Sequence, residues 1–304
     1  MEVFEKMVTT QLTLFAYMAA GFICRKIGII TDSSRKYFNA MLTKIALPCT
    51  ICASFLINIT AEEMAQAGLM LVVSACICLL GYGIALLLFR KTDERRRGPM
   101  YFGTMFSNAG NAGLPVVSMV FGELGVLYTS FFLIPIRVFM WTLGLSFFNK
   151  EEDGKSKWKK LMLNPCLLAV FVGLGLTALP FDIPSALQTP VRNIGSMVGP
   201  LSMMIIGSTL TDMKPVEIVK DKSAWALSAL RLVLIPLVVM GVMRLLNLPE
   251  MMWQVAVVIT AMPVATLTVV FAETSGGDHL SASRCVILST LLSLVTVPLL
   301  PLMF

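Results

Sequence analysis

Charge is what this chain has least of. Only 14% of its 304 residues are Asp, Glu, Lys or Arg, against 57% apolar, and the mean hydropathy is +0.82. A water-soluble domain carries charge at roughly a quarter of its positions, so this balance excludes a soluble globular protein. Histidine occurs once, at His279, which leaves no imidazole cluster to hold a metal. No Asp or Glu stands in the middle of an apolar run, so neither a relay of buried carboxylates nor the carboxylate pair of an intramembrane enzyme is written here. The seven cysteines, Cys24, Cys49, Cys52, Cys76, Cys78, Cys166 and Cys285, are odd in number. All fall within or at the ends of apolar runs, which argues against a disulfide framework or a zinc site. Cys76 and Cys78, two apart, are expected on different sides of a helix.

What is there is apolar sequence in membrane-length pieces. Ten runs approach the ~20 residues a spanning helix needs: 7–24, 37–57, 65–89, 99–121, 125–148, 161–179, 188–210, 223–246, 252–272 and 284–303. They predict an all-α membrane protein of ten transmembrane helices with almost nothing left for a soluble domain. The net charge of +6 does not point to nucleic acid, because the basic residues sit in gaps between runs rather than on one face. Most of the 24 Lys and Arg occupy odd-numbered connections, among them Arg25, Lys26, the group Arg95 to Arg97, and Lys155 to Lys160. Even-numbered connections carry acids such as Glu62, Glu63, Glu123 and Asp182. By the positive-inside rule the odd loops are cytoplasmic, which places both termini outside in a multi-pass protein of a bacterial-type inner cell membrane. Glu2 and Glu5 before the first run, with Arg25 and Lys26 after it, reverse the charge order of a secretory signal, so the first run is expected to stay as a helix.

The ten runs divide into two sets of five, residues 1–148 and 161–304, joined by a short Lys/Glu-rich cytoplasmic linker at 149–160. Gly21 falls on Gly173 and Pro48 on Pro200 at a shift of 152 residues; Val120-Phe121-Gly122-Glu123 falls on Val270-Phe271-Ala272-Glu273 at a shift of 150. With five spans per half, the second half enters from the opposite side. This is an inverted repeat, an arrangement whose binding site lies near the bilayer midplane, where interrupted helices of the two halves meet.

Such interruptions are present. The fourth run contains Phe106-Ser107-Asn108-Ala109-Gly110-Asn111-Ala112-Gly113-Leu114-Pro115-Val116, and the ninth contains Ala261-Met262-Pro263-Val264-Ala265-Thr266. Unwound backbone survives at membrane depth only inside protein or beside a wet cavity. Proline suits the first turn of a new helix, so Pro115 and Pro263 can each begin a half-helix whose open N–H groups and partial positive charge favour a carboxylate. Asn108 and Asn111 add side-chain donors and acceptors, and Gly110 and Gly113 allow close approach of backbone or solute. The half-helix ending near Asn108 to Gly110 offers carbonyls that suit sodium or an ordered water. A kinked, solute-free helix packed through its glycines is the competing reading of one break alone.

Ionisable residues at depth come next. Arg137, beside Pro135, lies about twelve residues into the fifth run, roughly 18 Å along a helix. It reads either as an attractant for an anionic substrate or as a structural Arg bonded to freed carbonyls. Lys44 and Arg231 lie seven or eight residues from the cytoplasmic ends of their runs, within reach of the interface by snorkelling. Glu123, Glu273 and Asp212 read as solvated acids at helix ends, and His279 as an exposed loop residue.

These motifs resemble a known family. The Asn-rich break with Leu114-Pro115, the sequence Met262-Pro263-x-Ala265, and the exit Phe271-Ala272-Glu273-x-x-Gly276-Gly277-Asp278 followed by Ala282-Ser283 are similar to those of the auxin efflux carrier family, which includes plant auxin exporters and bacterial malonate or dicarboxylate permeases. The resemblance implies a fold like that of bile-acid symporters and sodium/proton antiporters, with two crossing broken helices, a scaffold and a transport domain, elevator-type alternating access and a homodimer. It implies a crossover site on Asn108, Asn111, Pro115 and Pro263. Two departures stand out: the segment Asn149 to Lys160 is short where long plant exporters carry a large insert, and the ninth-run break has Thr266 and Thr268 but no Asn. The expectation is therefore a secondary active transporter of a small carboxylate, coupled to Na+ or H+, with Asn108, Gly110, Asn111, Gly113, Pro115, Pro263, Thr266 and Arg137 at its site, no cofactor and only lipid as its medium. An anion channel or solute sensor on the same scaffold is the alternative.

Overall fold

A computed structural model describes residues 2–56, 59–148, 163, 165–177, 183–212, 215–274 and 277–304. The linker at 149–160, Asp182 and Gly276 lie outside the described residues, and so do the side chains of Glu273 and Asp212. The described residues are predominantly helical, with no strand among them beyond one isolated bridge between Ser107 and Val264. All-helical architecture is what a bilayer demands, since a helix satisfies its own backbone polar groups without water.

The described residues form fifteen α-helices. They are α1 (Glu2–Lys26), α2 (Asp32–Met41), α3 (Leu47–Ala53), α4 (Ala61–Phe89), α5 (Glu94–Met105), α6 (Leu114–Phe139), α7 (Pro165–Thr177), α8 (Ser185–Ser196), α9 (Val198–Thr209), α10 (Pro215–Lys220), α11 (Lys222–Ala229), α12 (Ile235–Leu245), α13 (Glu250–Thr260), α14 (Leu267–Thr274) and α15 (His279–Leu299). Wider π-turns splice several of them: Leu42–Ala46 joins α2 to α3, Ala109–Gly113 leads into α6, and Leu230–Leu234 joins α11 to α12. Each of these turns precedes a proline one or two residues into the next helix, Pro48, Pro115 or Pro236. A π-turn lets the carbonyl that the proline ring would strike move aside. Caps fix the entries: Thr31 with Ser34 and Thr60 with Glu63 form reciprocal capping boxes, and Asp93, Asp221 and Asp278 each accept a backbone N–H at a helix start.

Among the described residues, four segments are long and apolar enough to cross a membrane: Ala61–Phe89, Ala109–Phe139, Lys222–Leu245 and His279–Met303. The first expected span lies within the unbroken 25-residue α1, whereas the second is spliced by a π-turn and α5 and α13 end at breaks. Ala109–Phe139 is itself two helices, because Gly122 interrupts it at φ 67°, a conformation that glycine adopts without strain.

Packing sorts the helices into two groups. In one, α1 runs against α9 and α3 against α7 and α8; in the other, α4 lies on α5 and α6, α13 on α6 and α12, and α15 on α11 and α14. Small residues set the tightest approaches. A Cβ on Gly21 would run into the backbone of Met204, and one on Gly207 into the backbone of Met18, so α1 and α9 touch main chain to main chain. Gly173 of α7 abuts the ring of Phe55, just after α3, in the same manner. Between the groups, α1, α3 and α9 meet α6, and α1 meets α15.

Exposure follows these roles. Along α4, Leu69, Val72, Leu79 and Leu86 to Leu88 are exposed, an apolar face suited to lipid. By contrast α13 has no open face: Met252 and Val255 to Ile259 are fully buried, and Gly98 to Met105 of α5 are buried without interruption. A helix apolar all round and enclosed all round belongs at the centre of the protein.

Candidate functional site

The two interruptions lie where the sequence predicts them, and they meet. Helix α5 stops at Met105 because Phe106 turns extended (φ −116°, ψ 119°) and Asn108 leaves the helical region (φ −76°, ψ 45°). The chain winds up again through the π-turn Ala109–Gly113. In the second half α13 ends at Thr260 and α14 begins at Leu267. The unwound stretches run antiparallel: Asn108 N donates to the Pro263 carbonyl at 2.7 Å, and Ala265 N donates to the Phe106 carbonyl at 3.1 Å. Each break thus satisfies backbone groups that the other leaves open, which is how such backbone persists away from water.

Serines and an arginine complete this accounting. Ser107 Oγ donates to the Ile259 carbonyl at 3.0 Å, and Val264 N donates to Ser289 Oγ on α15 at 3.1 Å. Arg231, in the π-turn between α11 and α12, donates from Nη1 to the Thr104 carbonyl at 2.9 Å and from Nη2 to the Thr260 carbonyl at 3.0 Å. Those are carbonyls in the last turns of α5 and α13, the two half-helices that lead into the breaks. Arg231 is 2% exposed, so the expectation that it snorkels to the interface is overturned. A fully enclosed guanidinium stays because the partial negative ends of two helices hold it there. Lys44, in contrast, is exposed.

The expected site residues divide by exposure. Asn108, Gly113, Pro115 and Pro263 are buried at the crossover, while Gly110, Asn111 and Thr266 are partly accessible in the same stretches. Asn108 is 5% exposed, its carbonyl accepts from Ala112 N and Gly113 N, and its Nδ2 has no acceptor among the described residues. A Cβ added to Gly110 meets open space, whereas one on Gly113 would come within 2.8 Å of Ile259 Cδ1, so Gly113 lets the half-helix approach α13. Beside the breaks a cavity opens between the two helix groups, lined by Met18 and Met203 from one group and by Met262, Pro263, Thr290 and Ser293 from the other, with no charged side chain in its wall. The hydroxyls of Thr290 and Ser293 both donate to carbonyls of their own helix, which leaves their lone pairs as acceptors.

Arg137 is not brought to this cavity. It lines a different one, with Ile51, Ser130 and Leu133 on one side and Cys166 and Leu167 of α7 on the other. Glu123 is not a lone acid: it is partly exposed but paired with Arg192 of α8, which also donates to the Leu56 carbonyl at 3.2 Å, so this ion pair joins the two helix groups. At the far end of the broken pair, Arg96 Nε meets Asp278 Oδ2 at 2.9 Å while Asp278 N donates to the Arg95 carbonyl, tying the start of α5 to the segment after α14. Cys76 is exposed and Cys78 buried, as their spacing predicts, and His279 is exposed as the first residue of α15.

Sequence reasoning missed Ser107, Ser289 and Arg231. Ser107 and Ser289 look like any small residue in a membrane helix. Arg231 differs from Lys44, beyond its guanidinium, in the carbonyls within its reach, for which the local sequence has no signal.

Two interrupted helices, enclosed and crossing beside a cavity between two helix groups, define a polytopic membrane protein of the transporter class. The chain matches the family described as "Membrane transport protein" over residues 6–301 and belongs to it, the auxin efflux carrier family that its motifs resemble. Similar proteins include an "Uncharacterized transporter" of Methanothermobacter thermautotrophicus, 26% identical over 98% of both chains, and another of Methanocaldococcus jannaschii, 25% identical over 95% of this chain and 96% of that protein. A Rhizobium meliloti protein called "Putative malonate transporter" is 21% identical over 94% of this chain and 92% of its own length.

Proposed function

We propose that this protein is a secondary active carrier of a small organic anion, a carboxylate attached to an apolar body, bound at the crossover of its two broken helices. The observation that carries this reading is the crossover itself. It combines half-helix N-termini, whose first N–H groups lack intrahelical acceptors, with the buried and unpartnered Asn108 Nδ2. Gly110, Asn111 and Thr266 are the partly open positions through which a carboxylate reaches those donors. The adjoining wall of methionines and Pro263 suits an apolar body, because methionine adapts to irregular surfaces. No cation lines that wall, and burying a second, uncompensated carboxylate is strongly unfavourable, so a monoanion fits better than a dianion. The name of the Rhizobium relative supports a carboxylate in general.

The ten passes form two inverted five-helix repeats, 1–148 and 161–304. Reciprocal packing supports this: Gly21 of the first span touches the seventh, and its repeat mate Gly173 of the sixth touches the end of the second. The group α4–α6 with α11–α15 moves as the transport domain against α1–α3 with α7–α9, in an inner cell membrane with both termini outside, as a homodimer. Among the contacts between the groups, the Glu123 to Arg192 pair is one the movement breaks.

The test is a thermal-shift screen of purified protein against mono- and dicarboxylates of matched size, followed by uptake into proteoliposomes. A native-state ligand raises the unfolding midpoint with its concentration. Monocarboxylates with apolar bodies are expected to stabilise the protein and to be taken up saturably, with affinities more than about tenfold above those of dicarboxylates. Flux that does not saturate would turn the reading toward a channel.

A further inference from the structure

The C-terminal turns of α5 and α13 are buried on every side, so their carbonyl ends have neither water nor lipid headgroups to face. Besides Ser107 Oγ at the Ile259 carbonyl, what meets them is one guanidinium. A helix C-terminus carries roughly −0.5 elementary charge, so two of them present about −1, which a single Arg neutralises. Arg231 forms an ion pair with no carboxylate among the described residues; its charge is balanced by the Thr104 and Thr260 carbonyls at 2.9 and 3.0 Å.

We propose that Arg231 is the resident cation of this crossover, holding in covalent form the position at the Thr104 and Thr260 carbonyls that a coupling sodium ion would otherwise take, so that the carrier works without sodium there. The inference rests on the carrier reading above and adds to it the identity of the charge at the helix ends. Sodium is a hard cation that must collect several oxygen ligands, and both of these oxygens are already directed at N–H groups of the guanidinium. A second positive charge a few ångströms from the first is also repelled in so enclosed a place.

The residue type suits the task. A guanidinium is permanently charged and planar, with donors that diverge to reach two acceptors at once, whereas an ammonium is a point charge that sheds its proton more readily when buried. Its setting suits it too. The π-turn Leu230–Leu234 ahead of Pro236 places Arg231 against both half-helices, which lie 127 and 29 residues away in sequence, and because the guanidinium holds α5 and α13 together the two breaks move as one body. Arg231 acts through the half-helices and not on the solute, so it is a positioning residue.

The experiment titrates purified wild-type protein with sodium chloride against choline chloride at constant ionic strength, without any carboxylate, and follows the unfolding midpoint. Uptake into proteoliposomes is then measured in the same two salts for wild type, Arg231→Ala and Arg231→Lys. The wild-type midpoint is expected to be the same in both salts, and its uptake to agree within about twofold. Arg231→Ala should lower uptake roughly a hundredfold, about tenfold for each charge-assisted hydrogen bond lost. Added guanidinium ion, well below denaturing concentration, should raise the midpoint of Arg231→Ala but not of wild type, and Arg231→Lys should retain more uptake than Arg231→Ala. A sodium-specific rise in the wild-type midpoint overturns the proposal. So does wild-type uptake that requires sodium, or an Arg231→Ala variant that transports like wild type. If Arg231→Ala does not fold, the sodium titration of wild type and the uptake of Arg231→Lys still decide. If wild type takes up no carboxylate at all, it is the carrier reading that fails, while the substrate-free titration continues to test the cation.

Discussion

Two arginines lie well inside apolar stretches of this chain, each near a proline, and the fold treats them in opposite ways. Arg137 follows Pro135, stands deeper along its run, and ends in a side cavity against Cys166 and Leu167 of α7. Arg231 precedes Pro236, stands nearer its helix start, and ends at the centre of the protein across the ends of two half-helices. Depth counted along one helix therefore does not rank cations by burial. Arg231 is enclosed and Arg137 only half-buried, and at Arg231 the carbonyls of two helix ends stand in for water, as an enclosed charge requires.

The contrast is sharpest if Arg231 is lost. Arg231→Leu removes the charge that faces both helix ends, and about 3 to 5 kcal/mol of stability is expected to go with it, the scale for removing one partner of a buried charged pair. A fall in the thermal midpoint of less than a few degrees would break the comparison. Next in size is Gly113→Ala. Its Cβ would press within 2.8 Å of Ile259 Cδ1, and a loss of about 1 to 3 kcal/mol is expected in chemical or thermal unfolding. Asn108→Ala separates folding from binding: Nδ2 has no protein acceptor to lose, so stability should move by less than about 1 kcal/mol while saturable uptake falls about tenfold. Equal uptake by that variant and wild type would remove Asn108 from the site.

Arg137→Gln is expected to have a smaller effect on uptake, alike for anionic and neutral analogues of one solute, because Arg137 lines a different cavity from the crossover's. A selective loss for anions would return it to the substrate path. The smallest effect is expected of Gly110→Ala, whose Cβ enters open space; stability should change by less than about 0.5 kcal/mol. An increase in KM without loss of stability would show that the open space is where solute sits.

Much of this was legible before any coordinates. Apolar runs of membrane length, and charges confined to their gaps, give the helical class directly, because the bilayer acts on each segment separately. The breaks were legible for the same reason: Asn108, Gly110, Gly113 and Pro115 within one run, or Pro263 within another, disfavour a continuous helix whatever surrounds them. Glu123 and the second arginine were not. Glu123 follows a broken helix like any loop acid, and its pairing with Arg192 requires α8 to lie alongside. Arg231 sits as near the end of its run as Lys44, and its burial against two helix ends depends on partners far away in sequence.

Residence in a membrane, helicity and the positions of the two interruptions were thus determined by the sequence alone, since each follows from the local match between a stretch of side chains and its solvent. Which interruption meets which, and which cation neutralises them, was decided only in the tertiary structure. Hydrogen bonds from Arg231 to residues 127 and 29 positions away, and from Asn108 N to the Pro263 carbonyl, depend on helices arriving together, and no window of sequence contains both partners.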